Sequence, residues 1–187
     1  MLFTGKKFKK GFTLIELLIV ISIIGLLAMV VLVSFPDTKN KARDATRLQD
    51  MSQILTAIRI YHADNDVFPP MTPDGCCGVG ASGWDQGPCD GDNTFISALI
   101  DSGTIGAVPI DPMGGTGTGC YGYDYYVYNA GYGGCDLAKG KFFVLGIRDM
   151  ESSDRPHPDS PNFVCNSAVR DWPSEFDWVT GGFAADY

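Results

Sequence analysis

The sequence predicts an α+β protein: a long N-terminal α-helix, membrane-spanning in its first half and amphipathic in its second, packed on a small antiparallel β-sheet head with disulfide-stapled loops. Three observations carry this. An apolar run from Leu17 to Phe35 is followed by a stripe of apolar residues at helical spacing as far as Tyr61. After Ala63 the composition turns to glycine, proline, aspartate, tyrosine and cysteine. Two short runs then alternate or cluster as strands do, Tyr121–Asn129 and Lys141–Ile147.

The apolar run is nineteen residues long, interrupted by Ser22, Gly25 and Ser34. As a helix it extends roughly 28 Å, close to the hydrocarbon thickness of a bilayer. Lys6, Lys7, Lys9 and Lys10 precede it and favour a cytoplasmic N-terminus, with all that follows residue 35 on the far side. A secretory signal has a shorter apolar stretch and a small-residue cleavage site after it. Here Pro36, Asp37 and Lys39 follow instead, so the stretch is expected to remain in the mature chain. Glu16 sits at its leading edge. A carboxylate carried into a membrane costs about 2.5–3.5 kcal/mol on insertion scales, and so needs a partner.

The string Lys9-Lys10-Gly11-Phe12-Thr13-Leu14-Ile15-Glu16 resembles the class III leader of type IV pilins and of the pseudopilins of type II secretion. The resemblance implies cleavage by a prepilin peptidase between Gly11 and Phe12, N-methylation of Phe12, and polymerisation through the retained helix. It also implies that Glu16 aligns an incoming subunit by attraction to the N-terminal amine of its neighbour. Two unit charges about 4 Å apart at an effective dielectric of 20 attract by roughly 4 kcal/mol, enough to offset the insertion penalty. Without that neighbour, Glu16 is expected to remain under-paired. Gly25 lowers helix propensity by about 1 kcal/mol and Pro36 disfavours helix at Phe35. The resemblance implies that the stretch between them loosens on assembly; close packing at Gly25 and a bilayer exit at Pro36 are compatible with that.

From Thr38 to His62 the apolar positions are Leu48, Met51, Leu55 and Ile58, widened by Ile54 and Tyr61. The stripe is too short for a coiled coil and calls for a head packed on it. Lys41, Asp44 and Arg47 are expected on a solvated or inter-subunit face. The segments are thus a cleaved leader 1–11, a long helix 12–62 (12–35 transmembrane or filament core, 36–62 amphipathic) and a head 63–187. A head of about 125 residues is an ordinary single-domain size.

Within the head, Asp64-Asn65-Asp66-Val67-Phe68-Pro69-Pro70 closes the helix, as a similar string does in pilin-like proteins. Asn93 and Gly103 bracket a short helix over 94–100. Val108-Pro109-Ile110-Asp111-Pro112 resembles a turn of major pseudopilins, with Met113 where an aromatic residue is usual. Alternation puts Tyr121, Tyr123, Tyr125 and Val127 on one strand face and Asp124, Tyr126 and Tyr128 on the other. Residues 148–187, with Pro156, Pro158, Pro161 and Pro173, read as an irregular acidic tail.

Six cysteines, Cys76, Cys77, Cys89, Cys120, Cys135 and Cys165, all fall on the exported side, where disulfides persist. Six allow fifteen pairings and spacing does not choose among them, although a bridge from Cys76 or Cys77 to Cys89 is attractive. A C-x-x-C metal pattern is absent. The run Leu145-Gly146-Ile147-Arg148-Asp149 with Glu151 and Asp154 resembles the calcium loop of major pseudopilins, making Asp149, Glu151 and Asp154 the calcium candidates; no other cofactor is expected. Arg148 and missing glycines depart from that loop.

The formal net charge of −8 becomes more acidic once the leader lysines are removed, which disfavours direct contact with nucleic acid. His62 and His157 are expected at the surface, and no nucleophile–base pair stands out, so no enzymatic reaction is expected. The expected role is structural: a subunit of an extracellular filament, made as a single-pass inner-membrane precursor and assembled with copies of itself by inner-membrane pilus or secretion machinery. The alternatives are the major pseudopilin of a type II secretion system and a membrane-tethered binding protein that never polymerises.

Overall fold

The computed structural model describes residues 11–71, 83–87, 95–113 and 122–187, with the side chains of 30–36 outside the description. The chain divides into two compact units, Met1–Lys39 and Asn40–Tyr187.

Helix α1 runs from Leu14 to Asn65 and continues through both Gly25 and Pro36. Among the described residues, and apart from the local helix backbone, nothing lies within 4 Å of where a Cβ on Gly25 would be. The helix ends where Asp66 takes the left-handed conformation (φ 57°), its N–H donating to the His62 carbonyl at 2.8 Å. Pro69 and Pro70 prevent a restart.

The second unit is built on a four-stranded antiparallel sheet in chain order, comprising β1 (Asp85–Gln86), β2 (Tyr123–Tyr128), β3 (Phe142–Ile147) and β4 (Trp178–Phe183). Tyr123 pairs with Ile147 and Tyr128 with Phe142, while Ile147 pairs in turn with Trp178. A short helix α2 (Ala98–Asp101) buries Leu99 and stops before Gly103, whose φ of +73° suits glycine; Asn93 lies outside the described residues.

The period-2 pattern of the strands builds two cores. Tyr123, Tyr125, Phe143, Leu145, Ile147 and Trp178 pack on the α1 stripe of Met51, Ile54, Ala57 and Ile58. The opposite face carries Tyr128, Phe142, Val144, Val179 and Phe183, covered by Trp84, Trp172 and Phe176. The tyrosine alternation of β2 is therefore ordinary two-sided sheet packing, with Tyr126 packed against the second core.

That second core corrects the expectation for residues 148–187. The segment is not a solvated tail but supplies β4 and the outer layer of the sheet. Trp172 and Phe176 are fully buried within it. Gly146 explains how close the layer comes: a Cβ there would sit 2.5 Å from the Phe176 ring. Cys135 and Cys165 form a disulfide at the edge of this layer, with Cα atoms 4.8 Å apart. Cys76, Cys77, Cys89 and Cys120 lie outside the described residues.

Candidate functional site

At the start of α1, Thr13 and Glu16 bind each other reciprocally. The Thr13 N–H and Oγ1–H both donate to Glu16 Oε2 at 2.8 Å, and the Glu16 N–H donates to Thr13 Oγ1 at 3.3 Å. This is a capping box, Thr-x-x-Glu, and it satisfies donors that the first helical turn leaves without partners. It corrects the expectation that Glu16 is under-paired in a single chain. Both Thr13 donors converge on Oε2, and Oε1 has no donor among the described residues. Phe12 is 88% exposed and Gly11 is exposed, which leaves the Gly11–Phe12 peptide open to approach. From Leu14 to Met29 every described side chain is exposed, including Leu17, Leu18, Ile21, Ile24 and Leu27. Among the described residues no helix is long and apolar enough to cross a membrane.

A second constellation lies in the Asn40–Tyr187 unit, where composition gave no warning of it. Arg47 is fully buried on the same stripe as Met51 and Ile54. Its guanidinium grips Asp111 with two bonds, Nε to Oδ2 at 2.7 Å and Nη2 to Oδ1 at 3.0 Å. Nη1 reaches Asp44 Oδ1 at 2.6 Å and Glu151 Oε1 at 2.8 Å. Arg43 also pairs with Glu151 and donates to Asn40 Oδ1. Asp44 accepts the N–H groups of Glu151 (3.1 Å) and Ser152 (2.7 Å). The expected solvated face of Asp44 and Arg47 is thus an interior ionic clasp. It fastens α1 to the 108–112 turn on one side and to the link after β3 on the other.

The electrostatics follow from burial set against these bonds. Burial opposes charge on Asp44, but hydrogen bonds from Ser152, Glu151 and Arg47 outweigh it and hold its carboxyl below the usual range. The bond from Arg43 holds Glu151 low as well. One turn on, Asp50 goes the other way: burial raises it, against a 2.6 Å bond from the Tyr123 hydroxyl. Beneath the second core, burial likewise raises Asp124, against Arg148 and a 2.7 Å bond from Gln86.

The calcium candidates do not gather. Glu151 is engaged by Arg43 and Arg47, whereas Asp149 is 69% exposed on its side chain and lies 3.9 Å from Arg155. Asp154 is exposed. Among the described residues no three His, Cys, Asp or Glu side chains converge to hold an ion. Both histidines are buried rather than at the surface. His157 Nδ1 accepts the Asp159 N–H at 3.1 Å, and His62 packs 4.5 Å from the Phe68 ring.

The model of the prokaryotic N-terminal methylation motif matches residues 6–32. The chain carries a prepilin motif. Type II secretion system core protein G of Vibrio cholerae is 36% identical over 66 residues, 34% of this chain and 45% of that protein. The same protein of Aeromonas hydrophila is 34% identical over 64 residues, again 34% of this chain and 45% of the relative. The type IV major pilin protein PilE1 of Neisseria gonorrhoeae is 36% identical over 67 residues, 36% of this chain and 31% of the relative. The chain therefore spans less than half the length of these curated relatives. No solved structure matches it.

Proposed function

We propose that this pilin-like chain is the structural subunit of an extracellular helical filament. In this reading residues 1–11 are removed by a prepilin peptidase, Phe12 becomes the methylated N-terminus, and residues 12–35 first span the inner membrane with the N-terminus cytoplasmic. Helix 12–62 then forms the filament core with copies of itself, and 63–187 makes the outer surface. The observation that carries it is the uncovered apolar surface from Phe12 to Met29, placed directly after the methylation motif. Water does not tolerate so long an apolar helix, and a lipid bilayer followed by neighbouring copies covers it in turn. Glu16 Oε1 is then the acceptor for the amine of the next subunit, with Gly25 a close-approach point between helices and Pro36 a place where the helix loosens. The subunit has no reaction of its own; inner-membrane assembly machinery supplies the work.

A mass measurement of the chain isolated from its native cell tests the processing. The expected species begins at Phe12 and carries one extra methyl group. A species that begins at Met1 with no processed form would overturn the reading.

The 108–112 turn favours a second reading, the major pseudopilin of a type II secretion system. Val108 is buried and Asp111 holds Arg47 on α1, which makes that motif a structural clasp. Sheared surface fractions separate the two, because a pilus yields abundant filaments of this subunit at native expression and a periplasmic pseudopilus does not.

A further inference from the structure

Strand β2 has an edge that β1 covers only in part. Asp85 and Gln86 pair with Tyr125 and Asp124, and the Tyr123 carbonyl accepts the Gly87 N–H at 2.7 Å. Backbone groups alternate sides along a strand, so Val127 faces the same way as Tyr123 and Tyr125 but lies beyond β1. Its N–H donates to Met71 Sδ at 3.1 Å. A thioether is a weak acceptor, where a backbone N–H ordinarily finds an oxygen.

Met71 is part-buried at the margin of the first core and borders a cavity of about 450 Å³. The last turn of α1, the link Val67–Met71 and the ends of β2 and β3 form the walls. Asp66, Pro70 and Lys141 among them are exposed, so the cavity opens to solvent. It has ample room for a water-sized oxidant, since one water takes about 30 Å³ of liquid. The other methionines described in the Asn40–Tyr187 unit differ. Met51 and Met150 are buried in the first core, whereas Met113 is exposed on the turn after Asp111.

We propose that Met71 is an oxidation site for peroxides, placed so that the fold accepts the product. A sulfur lone pair attacks one peroxide oxygen, and an S–O bond forms as the O–O bond breaks. Sulfur gives up two electrons and becomes a sulfoxide. The peroxide is reduced to water, because the proton of the transferred oxygen passes to the departing hydroxide. The sulfoxide oxygen is a better acceptor than the thioether it replaces. With the sulfur stepping back into the cavity, that oxygen takes the Val127 N–H and the strand edge stays paired. At Met51 or Met150 the same oxygen would enter a close-packed core.

The test treats the full chain in detergent micelles with hydrogen peroxide and locates added oxygen by peptide mass spectrometry. Met71 is expected to oxidise on the timescale of exposed Met113, and Met51 and Met150 at least about tenfold more slowly. In a Met113→Leu chain oxidised at Met71, amide exchange at Val127 should slow by about threefold or more, as oxygen replaces sulfur. The thermal midpoint should hold or rise. Met71→Gln, which brings an amide oxygen to the same N–H, should reproduce both effects without peroxide. Met71→Leu removes the acceptor, and should speed Val127 exchange by about threefold or more and lower the midpoint. A Met71 that reacts no faster than Met51 and Met150 overturns the proposal. Unchanged or faster Val127 exchange after oxidation, or a lower midpoint, overturns it equally, because either describes incidental damage. Should a Met71 variant fail to fold, the oxidised Met113→Leu chain decides it alone.

Discussion

Arg47, with no exposed surface, holds Asp111 through two guanidinium bonds of 2.7 and 3.0 Å, tying the middle of a long helix to a proline-flanked turn. Removing the cation strands Asp111 and Asp44 as buried carboxylates. Breaking such a pair from one side costs about 3–5 kcal/mol, most of it the penalty for the charge left behind. Arg47→Met is therefore expected to lower the unfolding free energy by that amount in chemical denaturation. Arg47→Met combined with Asp111→Leu is expected to recover part of the loss, since both charges then leave together. A double variant no better than the single would show that the turn depends on the bidentate geometry itself.

The acid limb of the stability curve belongs to Asp44 and Glu151. Both carboxyls are held below their usual range in the folded chain. Their contribution is present above the unfolded carboxylate pKa of about 4 and is lost as pH falls through the lower folded values. Thermal midpoints of wild type and Asp44→Asn should differ most near neutral pH and converge below about pH 4. Asp50 has the opposite sign, because burial raises its carboxyl. Its charged form weakens the fold at neutral pH, and Asp50→Asn, which keeps an acceptor for the Tyr123 hydroxyl, should be neutral or stabilising there. A midpoint gap for Asp44→Asn that stays constant from pH 7 to pH 2 would contradict this account.

The disulfide between Cys135 and Cys165 closes a chain separation of 30 residues and fastens the outer layer over the second core. By loop entropy it contributes roughly 3–4 kcal/mol. Cys135→Ser paired with Cys165→Ser should lower the unfolding free energy by about that much. Proteolysis of the native chain should then begin within 148–187, the segment the bridge secures.

Gly146 gives a sharper probe of the same layer. A methyl group there would meet the Phe176 ring at 2.5 Å, closer than any real contact. Gly146→Ala is expected to cost about 1–3 kcal/mol through overpacking. Phe176→Ala in the same chain makes room and should reduce the penalty for Gly146→Ala, a coupling that a double-mutant cycle reads directly.

How far the sequence discloses this molecule depends on which physical signal each element carries. Helix α1 and strands β2 and β3 announce themselves by periodicity, which survives in any context. The motif at Gly11–Glu16 is local and needs no tertiary contact to be recognised. Asp44 and Arg47 occupy positions 44 and 47 of a stripe that continues through 51, 54 and 58, yet a charged residue is by default read outward. The partners that make them interior, Asp111 and Glu151, lie far along the chain and no local pattern joins them. Strand β4 hides for a different reason. Trp178-Val179-Thr180-Gly181-Gly182-Phe183 carries two glycines, and the prolines and acids before it resemble solvated chain. Its strand character comes from pairing with β3. The capping box of Thr13 and Glu16 is written in the spacing Thr-x-x-Glu, yet a carboxylate at the edge of an apolar run reads first as one that needs a counter-charge from elsewhere.

That intramolecular partner sharpens what a Glu16 substitution measures. Glu16→Ala removes both the capping box and the charge, so lost filaments in that variant would not say which mattered. Glu16→Gln keeps an acceptor for the Thr13 donors while deleting the charge. Thr13→Ala keeps the charge and the backbone N–H bond to Glu16 but removes the hydroxyl half of the cap, at a cost of about 0.5–2 kcal/mol to the first turn. If attraction to the neighbour's amine drives assembly, Glu16→Gln should insert in the membrane normally and yield few or no filaments, while Thr13→Ala should still assemble. Electron microscopy of sheared fractions, with membrane fractions as the insertion control, reads both. Normal filaments from Glu16→Gln together with failure of Thr13→Ala would make the cap, rather than the charge, the feature that assembly requires.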